Sequence, residues 1–219
     1  MSQTTRTEAF SDGVLAIAIT LLVLDLHVPV RAALEGSLAH TLAHDGWPTY
    51  AAYVTSFLVI GIIWVNHHGV FELVDKVDRV TLFLNLMLLM TVVAIPFTTA
   101  LMAEYLTDEG HDARTAALVY SAVMFAMSVA FASLYSYVAR HPAQLAEGVD
   151  PVAVRRSIVR FSVVGLLLYL ATMVVALFSA QACLIAHFAI AVYYCFQQIR
   201  PAGLRRPDSR RARWPRRAA

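Results

Sequence analysis

Charged residues are scarce in this chain of 219 residues: they make up 15% of the sequence, whereas hydrophobic residues make up 59%. Ordinary soluble domains are about 25% charged and about 45–50% apolar. The composition therefore excludes an ordinary soluble domain and predicts a protein that crosses the membrane several times.

Cysteine is also rare, since only Cys183 and Cys195 are present. They lie 12 residues apart in one apolar segment, which on a helix separates their Cα atoms by about 18 Å. A disulfide within that helix is excluded at this distance. We interpret both as free, membrane-buried thiols.

Catalytic motifs are absent as well. The sequence has no GxSxG turn and no glycine-rich phosphate loop. It also lacks the TVGYG segment that forms some ion filters. His40 and His44 have a four-residue spacing that suits a metal, but no third ligand accompanies them. We therefore predict no enzyme, no cofactor and no metal site.

Six long apolar stretches are present, and they predict an all-α integral membrane protein with six transmembrane helices. Helices are expected because lipid cannot satisfy the open edges of strands. The fifth and sixth stretches nearly touch, so a tight turn is predicted at Ser179. Residues 1–200 are predicted to form one six-helix transmembrane domain, and 201–219 a disordered basic tail. The predicted spans are about Phe10–Leu26, Pro48–Val65, Val80–Met102, Ala116–Val138, Ile158–Phe178 and Ala180–Ile199.

Basic residues indicate the orientation. With both termini in the cytoplasm, 15 of the 17 lysines and arginines lie on the inner side, leaving only Arg31 and Arg114 outside. Eight of the 15 lie between Arg200 and Arg217. This basic segment is expected to attract anionic lipid headgroups rather than nucleic acid, because the inward bias of positive charge already explains it.

A polar cluster opens the first apolar stretch, and a second lies at the end of the second stretch. Charge beside a membrane span is energetically costly and usually functional. In the predicted topology both clusters lie at the cytoplasmic membrane edge. Two interpretations stay open: the second cluster anchors its helix at the interface beside the tryptophan, or it hydrogen-bonds to the first. The clusters are Arg6, Phe10, Ser11 and Asp12 in the first, and Trp64, His67 and His68 in the second.

An apolar stripe runs along the first predicted helix in alternating steps of four and three residues. Such a stripe either packs against other helices or lines a pore, and spacing alone does not separate the two. Asp25 follows it, either as an interfacial acid facing water or as an acid at the mouth of a pore. The stripe consists of Phe10, Val14, Ile17, Leu21, Leu24 and Val28.

The opening Arg6-x-x-x-Phe10-Ser11-Asp12 resembles the signature of the endosomal and lysosomal potassium channel family (transmembrane protein 175) and its bacterial relatives. The likeness continues in Ala16-Ile17-Ala18-Ile19-Thr20-Leu21-Leu22-Val23-Leu24-Asp25, Pro29, Trp64-x-Asn66-His67-His68, Asn85-Leu86 and Pro96-Phe97. It covers roughly the first hundred residues, and the later spans agree mainly in number and hydropathy.

The resemblance implies a homotetramer in a bacterial plasma membrane that conducts K⁺ passively, with modest selectivity over Na⁺. It also implies a pore lined by the first helix of each subunit, with a hydrophobic gate. The constriction residues implied are Ile17, Leu21 and Leu24, with Thr20 as a polar layer.

The resemblance further implies that Arg6, Ser11 and Asp12 form a gating network with a histidine of the second span. Asp25 is expected to attract cations at the outer mouth. A proton-coupled secondary transporter, with Asp12, Asp25 and the histidines carrying protons, is the alternative function. A non-conducting membrane scaffold is a third.

Overall fold

The computed structural model describes residues 3–29, 37–108 and 110–197, and within these ranges every regular element is helical. The predicted disordered tail at 201–219 and Arg31 lie outside the described residues. The elements are α1 Gln3–Leu21 with a 3-10 turn Leu22–Asp25, α2 Leu38–His40 with a π-helical turn Thr41–Asp45, α3 Trp47–Phe71, α4 Arg79–Val93, α5 Ile95–Tyr105, α6 His111–Arg140 with a 3-10 turn Pro142–Gln144, α7 Pro151–Ala176 and α8 Ala180–Phe196.

Five helical segments of the described chain are long and apolar enough to cross a membrane. The sixth predicted span corresponds to α8, which has 17 residues and is apolar. At 1.5 Å per residue it is about 25 Å long, slightly less than the hydrocarbon thickness of about 30 Å. The all-α membrane class is therefore confirmed, while the count of six full spans and the orientation stay predictions. The five segments are Thr4–Asp25, Trp47–Phe71, Arg79–Tyr105, His111–Arg140 and Pro151–Ala176.

The second span is longer than predicted. Its helix continues from the predicted end at Val65 to Phe71, and the backbone N–H of Glu72 still bonds to the His68 carbonyl at 3.0 Å. The helix extends beyond the apolar run because the polar side chains of its last turns find partners on neighbouring helices. His67 and His68 therefore lie inside α3 rather than beyond its end.

The third span is interrupted rather than continuous. Helix α4 ends at Val93 and α5 begins at Ile95, with Ala94 between them. Pro96 has no backbone N–H and cannot donate to the carbonyl of Val92 four residues earlier, so the helical ladder breaks there.

Helix α6 lies at the centre of the bundle and packs against α4, α5, α7 and α8. Its fully buried side chains include Tyr120, Met124, Leu134 and Tyr135.

The predicted turn between the last two helices is confirmed, because Ser179 Oγ caps α8 by accepting the Ala182 N–H at 3.1 Å. Both cysteines are free as predicted. Cys183 is buried within the bundle and Cys195 is exposed on its surface, so the location of Cys195 in the membrane stays a prediction.

One end of the bundle, called here the Gln3 end, is closed by two connecting loops and the start of α1. The Thr4 hydroxyl donates to the Asp75 carbonyl at 2.7 Å, and the Gln144 carbonyl accepts the Asp75 N–H at 2.9 Å. The Ala146 N–H donates to the Leu73 carbonyl at 2.9 Å. The segments that the sequence places on the cytoplasmic side thus meet at a single end.

Candidate functional site

Helix α1 has two faces of opposite character. Ser11, Leu15, Ala18 and Leu22 are buried on the side that packs against α3 and α4. The other side is apolar and exposed. Its exposed fractions are 54% for Phe10, 60% for Ile17, 38% for Leu21 and 67% for Leu24.

Thr20 lies on the exposed side of α1, between Ile17 and Leu21. Its hydroxyl donates to the Ile17 carbonyl at 2.9 Å, so the proton is used within the helix. The hydroxyl oxygen consequently offers only lone pairs to whatever faces this surface, which suits a cation or water better than an anion.

The buried face of α1 is held by a chain of side-chain hydrogen bonds through three helices. Asn85 Nδ2 on α4 donates to Ser11 Oγ at 2.8 Å, and Ser11 Oγ donates to the Thr7 carbonyl at 2.9 Å. Asn85 Oδ1 lies 3.0 Å from Nε2 of His67 on α3. All three side chains are buried, so α1, α3 and α4 are fixed at one point.

The tautomer of His67 follows from this chain. Asn85 Oδ1 only accepts, so His67 Nε2 carries a proton and donates it. His67 Nδ1 is buried and has no hydrogen-bond partner among the described residues, so a proton there would be an unpaired buried donor. The ring is therefore neutral, and it stacks on Phe71 with 4.4 Å between the ring centroids.

A second bond connects α1 to α3 closer to the surface. Trp64 Nε1 donates to Asp12 Oδ1 at 3.0 Å. The indole also stacks on the His68 ring, with an angle of 17° between the planes. Of the two interpretations of the second polar cluster, the geometry matches the hydrogen-bonded one.

His68 lies between two carboxylates. Its Nδ1 is 2.8 Å from Glu8 Oε1 on α1, and its Nε2 is 3.5 Å from Glu72 Oε1 on the same helix. An imidazolium would donate to both acids. These three side chains do not form a metal site, and the described residues contain no other cluster of three such ligands.

Two sequence-predicted residues have no bonds to the network. Arg6 is exposed, and its guanidinium makes no hydrogen bond or ion pair with any described residue. Asp25 is half-buried at the far end of α1, where its backbone carbonyl accepts from the His27 ring at 3.0 Å. Its Oδ2 is enclosed without a hydrogen-bond partner in the described part of the chain.

The sequence interpretation missed two members of this network. Asn85 connects Ser11 to His67, and its signal was a polar amide within an otherwise apolar run. Glu8 precedes Asp12 by four residues and so shares its helix face, which is the spacing that predicts a common partner surface.

Comparison with known proteins agrees with this architecture. The family model described as endosomal/lysosomal potassium channel TMEM175 matches residues 6–96. A protein of Streptomyces collinus named as a potassium channel is 50% identical over 91% of this chain and 95% of its own length. One from Chamaesiphon minutus, also named as a potassium channel, is 39% identical over 90% and 95%.

A solved structure has the same fold. It is the crystal structure of a lysosomal potassium-selective channel TMEM175 homologue from Chamaesiphon minutus. It superposes with a TM-score of 0.77 at 38% identity, over 90% of this chain and 98% of the other. The identity and coverage confirm the resemblance carried by the opening motif, and the chain belongs to the TMEM175 family.

Proposed function

We propose that this protein is a passive potassium channel of a bacterial plasma membrane. In this proposal four copies surround one axis, with α1 innermost. Two relatives that match over nearly their whole length carry the name potassium channel, which supports K⁺ as the permeating ion. The exposed apolar side of α1 supports a conduction pathway along this helix.

The observation that carries the proposal is the contrast between the two faces of α1. One face is tied to α3 and α4 by buried hydrogen bonds, and the opposite face presents a line of aliphatic side chains that the described residues leave exposed. Under four-fold symmetry each residue of that line becomes a ring. Rings at Ile17, Leu21 and Leu24 form the proposed constriction.

The mechanism is physical. An apolar ring holds water weakly and gates by dewetting. A cation that passes loses part of its hydration shell, and this penalises Na⁺ more than K⁺ because the smaller ion binds water more tightly. Selectivity is therefore modest. Lone pairs of Thr20, between the rings, partly replace the lost water, and Asp25 raises the local cation concentration at the outer mouth.

The signature residues set the position of the pore helix. In the proposed channel the side chains of Ser11, Asp12, Trp64, His67 and His68 hold α1 at a fixed rotation, so that the aliphatic line faces the axis. Arg6 is free to reach a neighbouring subunit or an anionic headgroup at the membrane edge. The arginine-rich segment at 200–217 is proposed to bind anionic headgroups and not nucleic acid.

The test is K⁺ flux through the purified protein in liposomes. We expect Leu21→Ala to widen the constriction, raising the flux and lowering the preference for K⁺ over Na⁺. Ile17→Asn is expected to hydrate the gate and raise the flux further. Leu167→Ala is the matched control, because Leu167 is also an exposed leucine but lies on α7.

The proposal is wrong if intact wild-type oligomers show no flux at any voltage or pH. It is equally wrong if Leu167→Ala alters flux as much as Leu21→Ala. Flux that saturates with K⁺ and collapses when the proton gradient is dissipated would instead indicate the proton-coupled transporter.

A further inference from the structure

A cavity of about 40 Å³ lies inside each subunit, away from α1, between α3, α6, α7 and α8. No residue of the proposed pore lines it. Much of its wall is apolar, but several polar side chains face into it. The polar and small members of the lining are Asn66, Ser128, Ser162, Gly165, Tyr169 and Tyr194.

Two hydroxyls of this wall have no hydrogen-bond partner among the described residues. Ser162 is only 6% exposed, and its buried Oγ has no hydrogen bond to the described residues. Ser128, on α6, likewise makes no hydrogen bond with the part of the chain that the structure describes. The Tyr194 hydroxyl donates only a long bond, 3.3 Å, to the Phe161 carbonyl.

These hydroxyls converge on one spot of α7. A Cβ added at Gly165 would lie 3.0 Å from the Tyr194 hydroxyl and 3.2 Å from Ser128 Oγ. Ser162 precedes Gly165 by three residues and so lies on the same helix face. Three helices thus direct hydroxyl groups to a common point, and glycine leaves the space between them open.

The depth of the cavity makes this arrangement costly without a ligand. Ser128, Ser162 and Gly165 lie in the middle of apolar helices long enough to span the membrane, where no bulk water reaches an unpaired hydroxyl. A buried water needs about 10–15 Å³ of such space and two to four polar partners. The cavity offers both.

We propose that this cavity is a binding site for ordered water, and that the water joins α6, α7 and α8. One to about three molecules fit the volume. They accept from and donate to Ser128, Ser162 and Tyr194, whose hydroxyls have no partner or only a long bond within the described part of the chain. The water fastens the α7–α8 hairpin to the rest of the bundle, whichever ion the channel conducts.

Part of the cavity wall also borders a second space. Ile62, Asn66 and Tyr194 line the cavity and also a groove of about 410 Å³ that contains Ile19 and Cys195. These three side chains therefore border both spaces.

The test is X-ray radiolytic labelling of the full-length protein in lipid nanodiscs prepared in H₂¹⁸O. Hydroxyl radicals generated from bound water oxidise adjacent methionine and aromatic side chains where bulk solvent is excluded. Met127 and Tyr169 line the cavity and are the reporters. Met124 and Tyr120 are the matched controls, because both are fully buried on α6 and do not line it.

We expect ¹⁸O incorporation at Met127 and Tyr169 to exceed that at the controls several-fold. Gly165→Ala, which places a methyl group between the hydroxyls, should remove the excess. If that variant does not fold, the double variant Ser128→Ala with Ser162→Ala removes the partners without adding volume and should give the same loss. Equal labelling of reporters and controls in the wild type would overturn the proposal, as would an excess that survives in a folded variant.

Discussion

The side-chain amide of Asn85 donates a 2.8 Å hydrogen bond to the hydroxyl of Ser11, and both groups are buried. This bond connects α4 to the face of α1 opposite the exposed aliphatic line. Through its oxygen the same amide accepts from His67 on α3. One side chain therefore fixes both the position and the rotation of the proposed pore helix, which is why its loss should affect conduction as well as stability.

We predict that Asn85→Leu destabilises the protein. The change leaves the buried His67 N–H without an acceptor, at a cost of about 1–3 kcal/mol, and Ser11 Oγ keeps only its bond to the Thr7 carbonyl. The expected result is a lower melting temperature of the purified oligomer and reduced K⁺ flux in liposomes. Both are measured on protein isolated by size-exclusion chromatography.

The control for Asn85→Leu is Thr91→Val on the same helix, because the Thr91 hydroxyl bonds only to the Leu88 carbonyl of its own turn. That variant should melt close to wild type. An Asn85→Leu protein with wild-type melting and wild-type flux would contradict a structural role for the amide.

We predict that Trp64→Phe alters flux with little effect on stability. The phenyl ring keeps the stacking on His68 but lacks the N–H that donates to Asp12. Because the pair is exposed, the loss should not exceed about 1 kcal/mol. Without this bond α1 is held less firmly to α3. We therefore expect the open probability of the channel in planar bilayers to change several-fold.

Trp47→Phe is the matched control, since Trp47 is a similarly exposed tryptophan on α3 whose indole has no hydrogen bond to the described residues. Equal effects of Trp64→Phe and Trp47→Phe would refute a special role for the bond to Asp12.

The sequence was sufficient for the helices but not for their ends. Long apolar runs locate the spans because a lipid environment requires backbone bonds within each segment. The apolar run stops at Val65, however. The helix continues through His67 and His68 because side chains of α4 and α1 pair with the two imidazoles. The break at Ala94 follows from Pro96. Proline is tolerated within membrane-spanning helices, so its presence in the sequence did not by itself predict a break.

The network was predictable in its members but not in its connections. Ser11 and the second-span histidines could be named because polar groups beside apolar runs are costly. Asn85 joins Ser11 across 74 positions of sequence, and no spacing rule within one helix predicts a partner on another. Arg6 was predicted in the same network, and the described residues offer it no bond.

We predict that the cap of α4 is lost only in strong acid. The Thr81 backbone N–H, which donates to Asp78 Oδ1 at 2.8 Å, and the hydroxyls of Tyr137 and Thr81 lower the pKa of Asp78 to about 2 from its ordinary 3.8. The stabilising contribution of the carboxylate is therefore complete above about pH 4 and lost as the pH falls through about 2.

The measurement is the melting temperature of the oligomer at about pH 5 and about pH 3. Asp78→Ala should lower it at both, by about 2–4 °C for a cap worth about 1 kcal/mol. Asp78→Asn keeps an acceptor but cannot titrate, so its melting temperature should vary less than that of the wild type over this range. Wild-type and Asp78→Asn proteins with identical acid dependence would show that the carboxylate contributes nothing.

A second buried network predicts opposite outcomes for two tyrosines. The Tyr120 hydroxyl pairs with Ser56 Oγ at 2.9 Å, and Ser56 Oγ also lies 2.7 Å from the Thr99 hydroxyl oxygen. Ser56→Ala strands the Tyr120 hydroxyl, at about 1–3 kcal/mol, whereas Thr99 keeps its 2.8 Å bond to the Ile95 carbonyl. Adding Tyr120→Phe should recover part of that loss, because the double variant leaves no unpaired hydroxyl.

Tyr135→Phe removes a buried hydroxyl that has no partner among the described residues, so it should be neutral or stabilising. The measurement is the melting temperature of these three variants and of the wild type. A Tyr135→Phe protein as unstable as Ser56→Ala would contradict the absence of a partner for Tyr135.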